Sequence, residues 1–253
     1  MRSASMTIRP DIPAPASTID ALLTGRAVVI AGGGEAAVVS GIDKRPRSEA
    51  LWLARDGLQG DEQGDRVYHG GPEKALHHYA ADHYPDWQAW HPASPVSMAP
   101  GAFGENVSTR GMTERDVHVG DVFRAGSTLL QVTQGRQPCF RLNLRLGRPD
   151  AALAMQSLGR TGWYYRVLRE GWLAAGEVLE LVDRPCPDWP LARLIAALYP
   201  PDLSTPSLPD EWRAAAGVSE LAERWRLTFE RRLHTGTVED WQMRLQGPEH
   251  LRR

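Results

Sequence analysis

Lysine is nearly absent from this chain: Lys44 and Lys74 are its only two, and arginine supplies every other side-chain cation. Where the flat, five-donor guanidinium is used so freely, a lysine suggests a position suited to a compact point charge with three donors. Cysteine is as scarce, with Cys139 and Cys186 alone. Two thiols exclude an all-cysteine iron–sulfur cluster and a four-cysteine zinc site, and they argue for reduced thiols over a disulfide framework. An excess of one charge sign is missing too. The net charge is −2, without runs of like charge, so neither nucleic acid nor an acidic membrane is expected as a partner, since both require a positive field or patch. No continuous apolar stretch lies in Met1 to Ser17, which argues against a signal peptide or a membrane anchor. A cytoplasmic protein with a flexible tail over residues 1–20 is expected.

What the chain does have is a run of short apolar segments punctuated by glycine from about Ala27 to Val182. That pattern predicts a mainly β unit, a barrel or sandwich, over residues 21–185. Phe123 to Thr128 reads as a hairpin turn whose second strand, Leu129 to Thr133, delivers the segment around Cys139. A second hairpin is expected from Trp163–Leu168 into Glu177–Val182, turning at Glu170 and Gly171. The spacing of Leu76, Tyr79, Ala80 and Tyr84 predicts a helix starting at Pro72. Another is expected from Pro149 to Leu158, closed by Gly159. After Pro185-Cys186-Pro187, which reads as linker, the stripes Leu191, Leu194, Ile195, Leu198 and Leu221, Trp225, Phe229, Leu233 predict a small helical domain of about three helices over residues 186–253.

Several groupings carry chemistry. Cys139 sits behind Pro138 and between Arg136 and Arg141, a positive setting that favours the thiolate, the form that attacks or binds a soft metal. An isolated cysteine is also often just a small buried hydrophobe. Gly70 and Gly71 before Pro72 and Lys74 offer backbone N–H groups and a full charge to an anion; the alternative is a solvated turn with Lys74 paired to Glu73 or Asp61. His69, His77, His78 and His83, with Asp82, raise the possibility of zinc, yet the metalloprotease spacing is absent and His77 and His78 would diverge by about 100° on a helix. Gly101 to Asn106 is a glycine-hinged loop offering Glu105 and Asn106. Trp163 to Arg166 can wall a pocket or fill a barrel. The pattern Gly32-Gly33-Gly34-Glu35-Ala36-Ala37 suits a tight turn between strands better than a nucleotide loop, because no long helix follows.

In order along the chain, Gly60-Asp61, His69-Gly70-Gly71-Pro72-Glu73-Lys74-Ala75, Gly104-Glu105-Asn106, Gly120-Asp121 and Gln134-Gly135-Arg136-Gln137-Pro138-Cys139 resemble the MOSC domain, named for the C-terminal part of molybdenum cofactor sulfurases. Ser40 to Pro46 is similar to that family's early lysine-proline segment, so both lysines fall in motifs. The C-terminal helices are similar to the three-helix domain of a bacterial branch associated with N-hydroxylaminopurine resistance. Gly135 departs from the family pattern, standing where a proline is common, and a looser cysteine loop is expected.

The resemblance implies a MOSC-type β-barrel with flanking helices plus a small C-terminal three-helix domain, holding a molybdenum cofactor (molybdopterin). It implies Cys139 as the metal's protein ligand. Lys44, Asp61, His69, Gly70, Gly71, Lys74, Glu105, Asn106, Arg136 and Arg141 are the expected cofactor contacts. The implied reaction is a two-electron reduction of a small N-hydroxylated substrate, leaving an amine and water. His69 is its leading acid, Asp121 or Glu105 stands behind it, and Asn106 orients the substrate. No flavin or haem motif is apparent, so a separate flavoprotein reductase is the implied electron donor. A non-catalytic cofactor or sulfur carrier and a zinc-dependent hydrolase are the alternatives.

Overall fold

The computed structural model describes residues 16–32 and 37–251. The first half carries β1 (Ala16–Thr24), β2 (Val28–Ala31), β3 (Val38–Ser40), β4 (Arg45–Pro46), β5 (Leu51–Ala54), β6 (Gly57–Leu58), α1 (Arg66–His69), β7 (Leu76–Ala80), α2 (Tyr84–Trp90) and β8 (Val107–Thr109). Then follow β9 (Val122–Ala125), β10 (Thr128–Gly135), α3 (Phe140–Leu146), α4 (Ala151–Leu158), β11 (Trp163–Arg169), β12 (Gly171–Leu173) and β13 (Val178–Asp183). The helices α5 (Leu191–Leu198), α6 (Leu208–Ala216), α7 (Glu223–Thr235) and α8 (Gln242–Gln246) complete it.

Strands β13, β9, β10, β11, β7, β8 and β1 pair in that order, and β13 pairs back to β1, so the sheet closes into a barrel. All neighbours are antiparallel except β7 and β8. Closure removes the unpaired edges that an open sheet would expose. Leu22, Leu76, Phe123, Leu130, Val132, Trp163 and Tyr165 belong to the buried core that the barrel encloses. A second core, with Tyr79, Tyr84, Trp87, Phe103, Leu142 and Leu146, joins β7, α2 and α3.

The mainly β barrel with flanking helices, the β9–β10 hairpin and the helix ending before Gly159 are as the sequence predicts. Three expectations change. No long helix starts at Pro72: Pro72–Lys74 is one 3-10 turn, and Leu76–Ala80 is a strand with every residue buried. Leu76 faces one core and Tyr79 the other, so the run has no polar face and its apolar spacing imitates a helix. Secondly, Trp163–Leu168 and Glu177–Val182 do not pair. The Glu170-Gly171 turn docks on the β9–β10 turn, where Trp172 N donates to Ser127 Oγ at 2.7 Å. β12 then joins β5, and β13 pairs with β9 and β1. Thirdly, residues 16–20 are not tail but the start of β1; residues 1–15 and the glycine turn at 33–36 lie outside the described residues. β2 and β3 do pair as the two strands flanking that turn.

The C-terminal helices share the barrel's core. Leu191, Ile195, Trp212, Trp225 and Phe229 belong to the same buried cluster as Val132 and Trp163, each large side chain contributing about 1.5–3 kcal/mol of burial. The seam is also hydrogen-bonded: Leu191 N donates to Val117 O at 2.8 Å and Ala222 N to Thr133 O at 3.0 Å. Among the described residues no helix is long and apolar enough to cross a membrane.

Gly162 enters β11 at φ +69°, and a Cβ there would lie 2.3 Å from His78 O of β7. Gly159, at φ +65°, has its nearest atom at 3.7 Å. Gly162→Ala is therefore expected to destabilise by about 3 kcal/mol and Gly159→Ala by about 1 kcal/mol, read from urea unfolding midpoints.

Candidate functional site

β10 ends at Gly135, and four residues later Cys139 forms the extended N-cap of α3, with φ −136° and ψ 168°. This places its buried Sγ 3.5 Å from His69 Nε2. His69 is brought there by the short α1, whose N-cap Asp65 accepts from Val67 N and Tyr68 N, both at 3.1 Å. Burial alone pushes the Cys139 thiol up. The hydrogen bond and charge of His69, the charge of Arg136 and the Arg141 backbone N–H override it and bring the thiol down to about 6. The thiolate is thus the main form at neutral pH, held against the His69 ring.

The thiolate lines a cleft of about 80 Å³ with Lys44, Asp61, His69, Lys74, Asn106, Arg136 and Arg141. The expected cleft residues Lys44, Asp61, His69, Lys74, Asn106, Arg136, Cys139 and Arg141 are therefore brought together. On one wall, Lys44 Nζ donates to Asp61 Oδ2 at 2.5 Å with both side chains buried. Burial lowers the Lys44 pKa, and Asp61 opposes that shift. Asp61 also accepts from Gly25 N and Asn106 Nδ2, both at 2.9 Å. Arg136 donates to Phe103 O at 2.5 Å, and Arg141 Nε to Val39 O at 3.2 Å.

Other expected residues lie elsewhere or have another task. Asp121 is not among the cleft residues: it is fully buried, accepts from His118 N at 2.8 Å and is gripped by Arg184 at 2.8 Å. Glu105 faces its own loop, accepting from Tyr84 Oη, Gly101 N and Phe103 N. Gly70 and Gly71 are outside the cleft lining, and the three-residue turn after them is no helix N-terminus for an anion. Asn106 lines the cleft as a strut: besides Asp61 it donates to Leu23 O at 3.2 Å and accepts from His77 N at 3.1 Å. Both its polar atoms are thereby engaged, which leaves it poorly placed to orient a substrate.

The histidines do not converge. His78 sits inside the barrel between Tyr165 Oη and Thr109 Oγ1, each 2.9 Å away, and burial lowers its pKa to about 3. His83 faces Glu114 at 2.7 Å. His77 instead reaches the cleft, its ring 4.9 Å from that of Tyr164. Strand alternation, not helical spacing, separates His77 from His78 and Tyr164 from Tyr165. Read with period two, the doublets His77-His78 and Tyr164-Tyr165 signal one cleft residue and one barrel residue each.

The loop is not loosened by Gly135. That residue pairs with Trp163, and a Cβ on it would come within 2.9 Å of Ile195 in α5, so the glycine leaves room for the helical domain. The far end of the chain braces the same loop. Arg244 of α8 donates to Pro138 O at 2.5 Å and to Gln156 Oε1 at 2.6 Å, and Asn143 Nδ2 donates to Leu245 O at 2.8 Å. Cys186 is different from Cys139: burial and the neighbouring Glu220 carboxylate push its thiol up to about 12.

A closed barrel with a buried cysteine at the head of a cation-lined cleft accords with the comparisons. The MOSC domain family matches residues 65–180, and the chain belongs to that family. It is of the branch carrying the "YiiM-like, 3-alpha helix domain", which matches residues 189–236. Protein YiiM of Escherichia coli (strain K12) is 38% identical over 197 residues, covering 78% of this chain and 86% of that protein. The crystal structure of YiiM from Escherichia coli superposes with a TM-score of 0.73 at 32% identity, covering 92% of this chain and all of that one (100%). A protein named "Reductase" from Gibberella moniliformis is 40% identical over 158 residues, which are 62% of this chain and only 28% of that longer protein.

Alkylation by iodoacetamide is expected to modify Cys139 with a rate that rises through a midpoint near pH 6, leaving Cys186 unmodified at pH 7. The sign follows from the lowered thiol pKa: the reactive thiolate is present above the midpoint and lost below it. His69→Ala should move the midpoint up toward the ordinary cysteine value of about 8.5, because the thiolate loses its hydrogen bond and counter-charge. Arg244→Ala should destabilise by about 2 kcal/mol in urea and accelerate alkylation by freeing the loop.

Proposed function

We propose that this chain is a molybdenum-cofactor-dependent reductase of N-hydroxylated compounds, working in the cytoplasm with electrons from a separate flavoprotein reductase. The MOSC family is in general one of molybdenum-cofactor-binding domains, and a relative named as a reductase supports the direction of the chemistry. The observation that carries the reading is the Cys139 thiolate lining a cleft with Lys44, Lys74, Arg136 and Arg141.

The residues present fit the group. A deprotonated thiol is a ligand for a thiophilic metal, and the cationic walls suit the anionic cofactor. Cys139 would hold the metal, and Lys44, Arg136 and Arg141 would border the cofactor. When bound, the cofactor would supply the two electrons that remove oxygen from the N-hydroxyl group. The protein's part is position and protons. His69 Nε2 faces the sulfur directly, so it is the group placed to give a proton to the leaving oxygen. The buried Lys44–Asp61–Asn106 wall keeps its shape because each member satisfies another. Removing one charge from such a pair costs about 3–5 kcal/mol.

Protein purified from a cofactor-competent host is expected to contain molybdenum and a pterin fluorophore. It should reduce N-hydroxylaminopurine or benzamidoxime with an artificial electron donor. Cys139→Ala should abolish turnover without unfolding the chain, while Cys186→Ala retains it, and His69→Ala should lower kcat about a hundredfold. Stoichiometric zinc without pterin would overturn the reading. Turnover absent from a molybdenum-loaded sample would make the protein a carrier.

A further inference from the structure

Beside the cleft, two cations, one from the barrel and one from the helical region, meet on Tyr68. Lys74, on the turn before β7, lines the cleft and donates from Nζ to Tyr68 O at 2.6 Å. Arg224, in the first turn of α7, lies with its guanidinium 5.3 Å from the Tyr68 ring centroid. Tyr68 thus has one cation on its carbonyl and another on its ring. The surroundings are open: Val67 is 69% and Tyr68 61% exposed, and Arg224 is exposed as well.

Neither cation is neutralised by a carboxylate contact among the described residues. Glu73, the neighbour expected to take Lys74, is bound by Arg166 at 2.6 Å. Asp61 is bound by Lys44. Asp65 caps α1 and lies 3.9 Å from Arg141. The Glu220 carboxylate accepts from Cys186 and Ser219. Two cations held together repel one another: burial followed by the charge of Arg224 lowers Lys74 to about 8, against the weaker opposing charges of the Cys139 thiolate and Asp65. An anion between them would relieve that repulsion.

We infer that Lys74 and Arg224 form a composite anion subsite beside the cleft, which takes the phosphate monoester of a nucleotide whose base enters toward Cys139. The inference rests on the proposed reductase reading for its base, and it makes the preferred substrate a nucleoside 5′-monophosphate over the free base. It also moves Lys74 from the expected cofactor contacts to the substrate's phosphate. The helix end that would have made a buried phosphate site after Gly71 is absent. A site half-buried at Lys74 and exposed at Arg224 is open to a ligand that exchanges at every turnover, whereas a resident cofactor calls for the more enclosed cations. The guanidinium fork and the ammonium both match phosphate oxygens, Arg by paired donors and Lys as a point charge.

The test uses the full chain and two readouts. In calorimetric titrations of cofactor-free protein, adenosine 5′-monophosphate is expected to bind at least roughly tenfold more tightly than adenosine. Arg224→Ala and Lys74→Ala should each remove most of that difference, and Arg224→Lys should restore part of it. In cofactor-loaded enzyme, the ratio of KM for the free N-hydroxylated base to KM for its nucleoside 5′-monophosphate should fall about tenfold in Arg224→Ala. Equal binding of the two ligands by the wild-type chain, or a difference that survives both alanine variants, would overturn the subsite. So would loss of bound pterin from Arg224→Ala with nucleotide discrimination unchanged, which would assign the pair to the cofactor. If loaded wild-type enzyme reduces no N-hydroxylated compound, the reductase reading fails by itself, and the calorimetric comparison still decides the anion site.

Discussion

A thiolate in a buried position is expensive unless charge and hydrogen bonds are brought to it, and that constraint organises this molecule. Burial drives the Cys139 thiol toward the neutral form, yet His69, Arg136 and the start of α3 reverse the balance. Each compensating group comes from a different element: α1 supplies His69, the segment after β10 supplies Arg136, and α3 supplies a backbone N–H. Arg136 and the Arg141 N–H are local to the cysteine loop, whereas His69 arrives from far along the chain. The thiolate's stability therefore reports on whether the barrel wall, α1 and the cysteine loop are in register with one another.

The barrel achieves that register by a division of faces. On β7 and β11, one face is turned to the barrel interior, where His78, Trp163 and Tyr165 are buried, and the opposite face turns His77 and Tyr164 to the cleft. A strand with both faces covered is rigid, because its side chains pack on either side and its backbone is laddered to two neighbours. The Lys44–Asp61–Asn106 wall extends this rigidity: Asn106 ties β7 to the chain at Leu23, and Asp61 ties it to Gly25. A cleft walled this way is shaped before any ligand arrives, which lowers the cost of ordering it on binding.

Much of this was legible from residue order. The motif series that resembles the MOSC domain runs through Asp61, His69, Lys74, Asn106 and Cys139, and the fold brings those five residues to one cleft. The β9–β10 hairpin and the helix closed by Gly159 were legible because their signals are local. β7 was not, because burial on both faces erases the polar alternation that marks a strand. Glu105 and Asp121 were misplaced for a related reason. A carboxylate in a motif looks alike whether it faces a ligand or ties down its own loop, and only the positions of Tyr84 and Arg184 decide which. The pairing of Lys74 was likewise undecidable, since it depends on Arg166 reaching across to claim Glu73.

The helical region is better understood as a wall of the site than as an appendage. Gly135 leaves room for Ile195 of α5 directly behind the cysteine loop. Arg244 of α8 holds the carbonyl of Pro138, one residue before the thiolate. Arg224 of α7 lies over the ring of Tyr68, the residue before His69. Arg166 of the barrel binds Glu73 and also donates to Glu220 O in the segment leading to α7. These contacts reach the back and flank of one cleft, and the short α1 beside it, from three helices separated in sequence. A barrel stripped of them would expose Val132-side core surface and lose the brace on Pro138 together. The unit that positions the thiolate is thus the barrel and the helices combined, and an energetic account of either part alone would leave out half of what holds Cys139 in place.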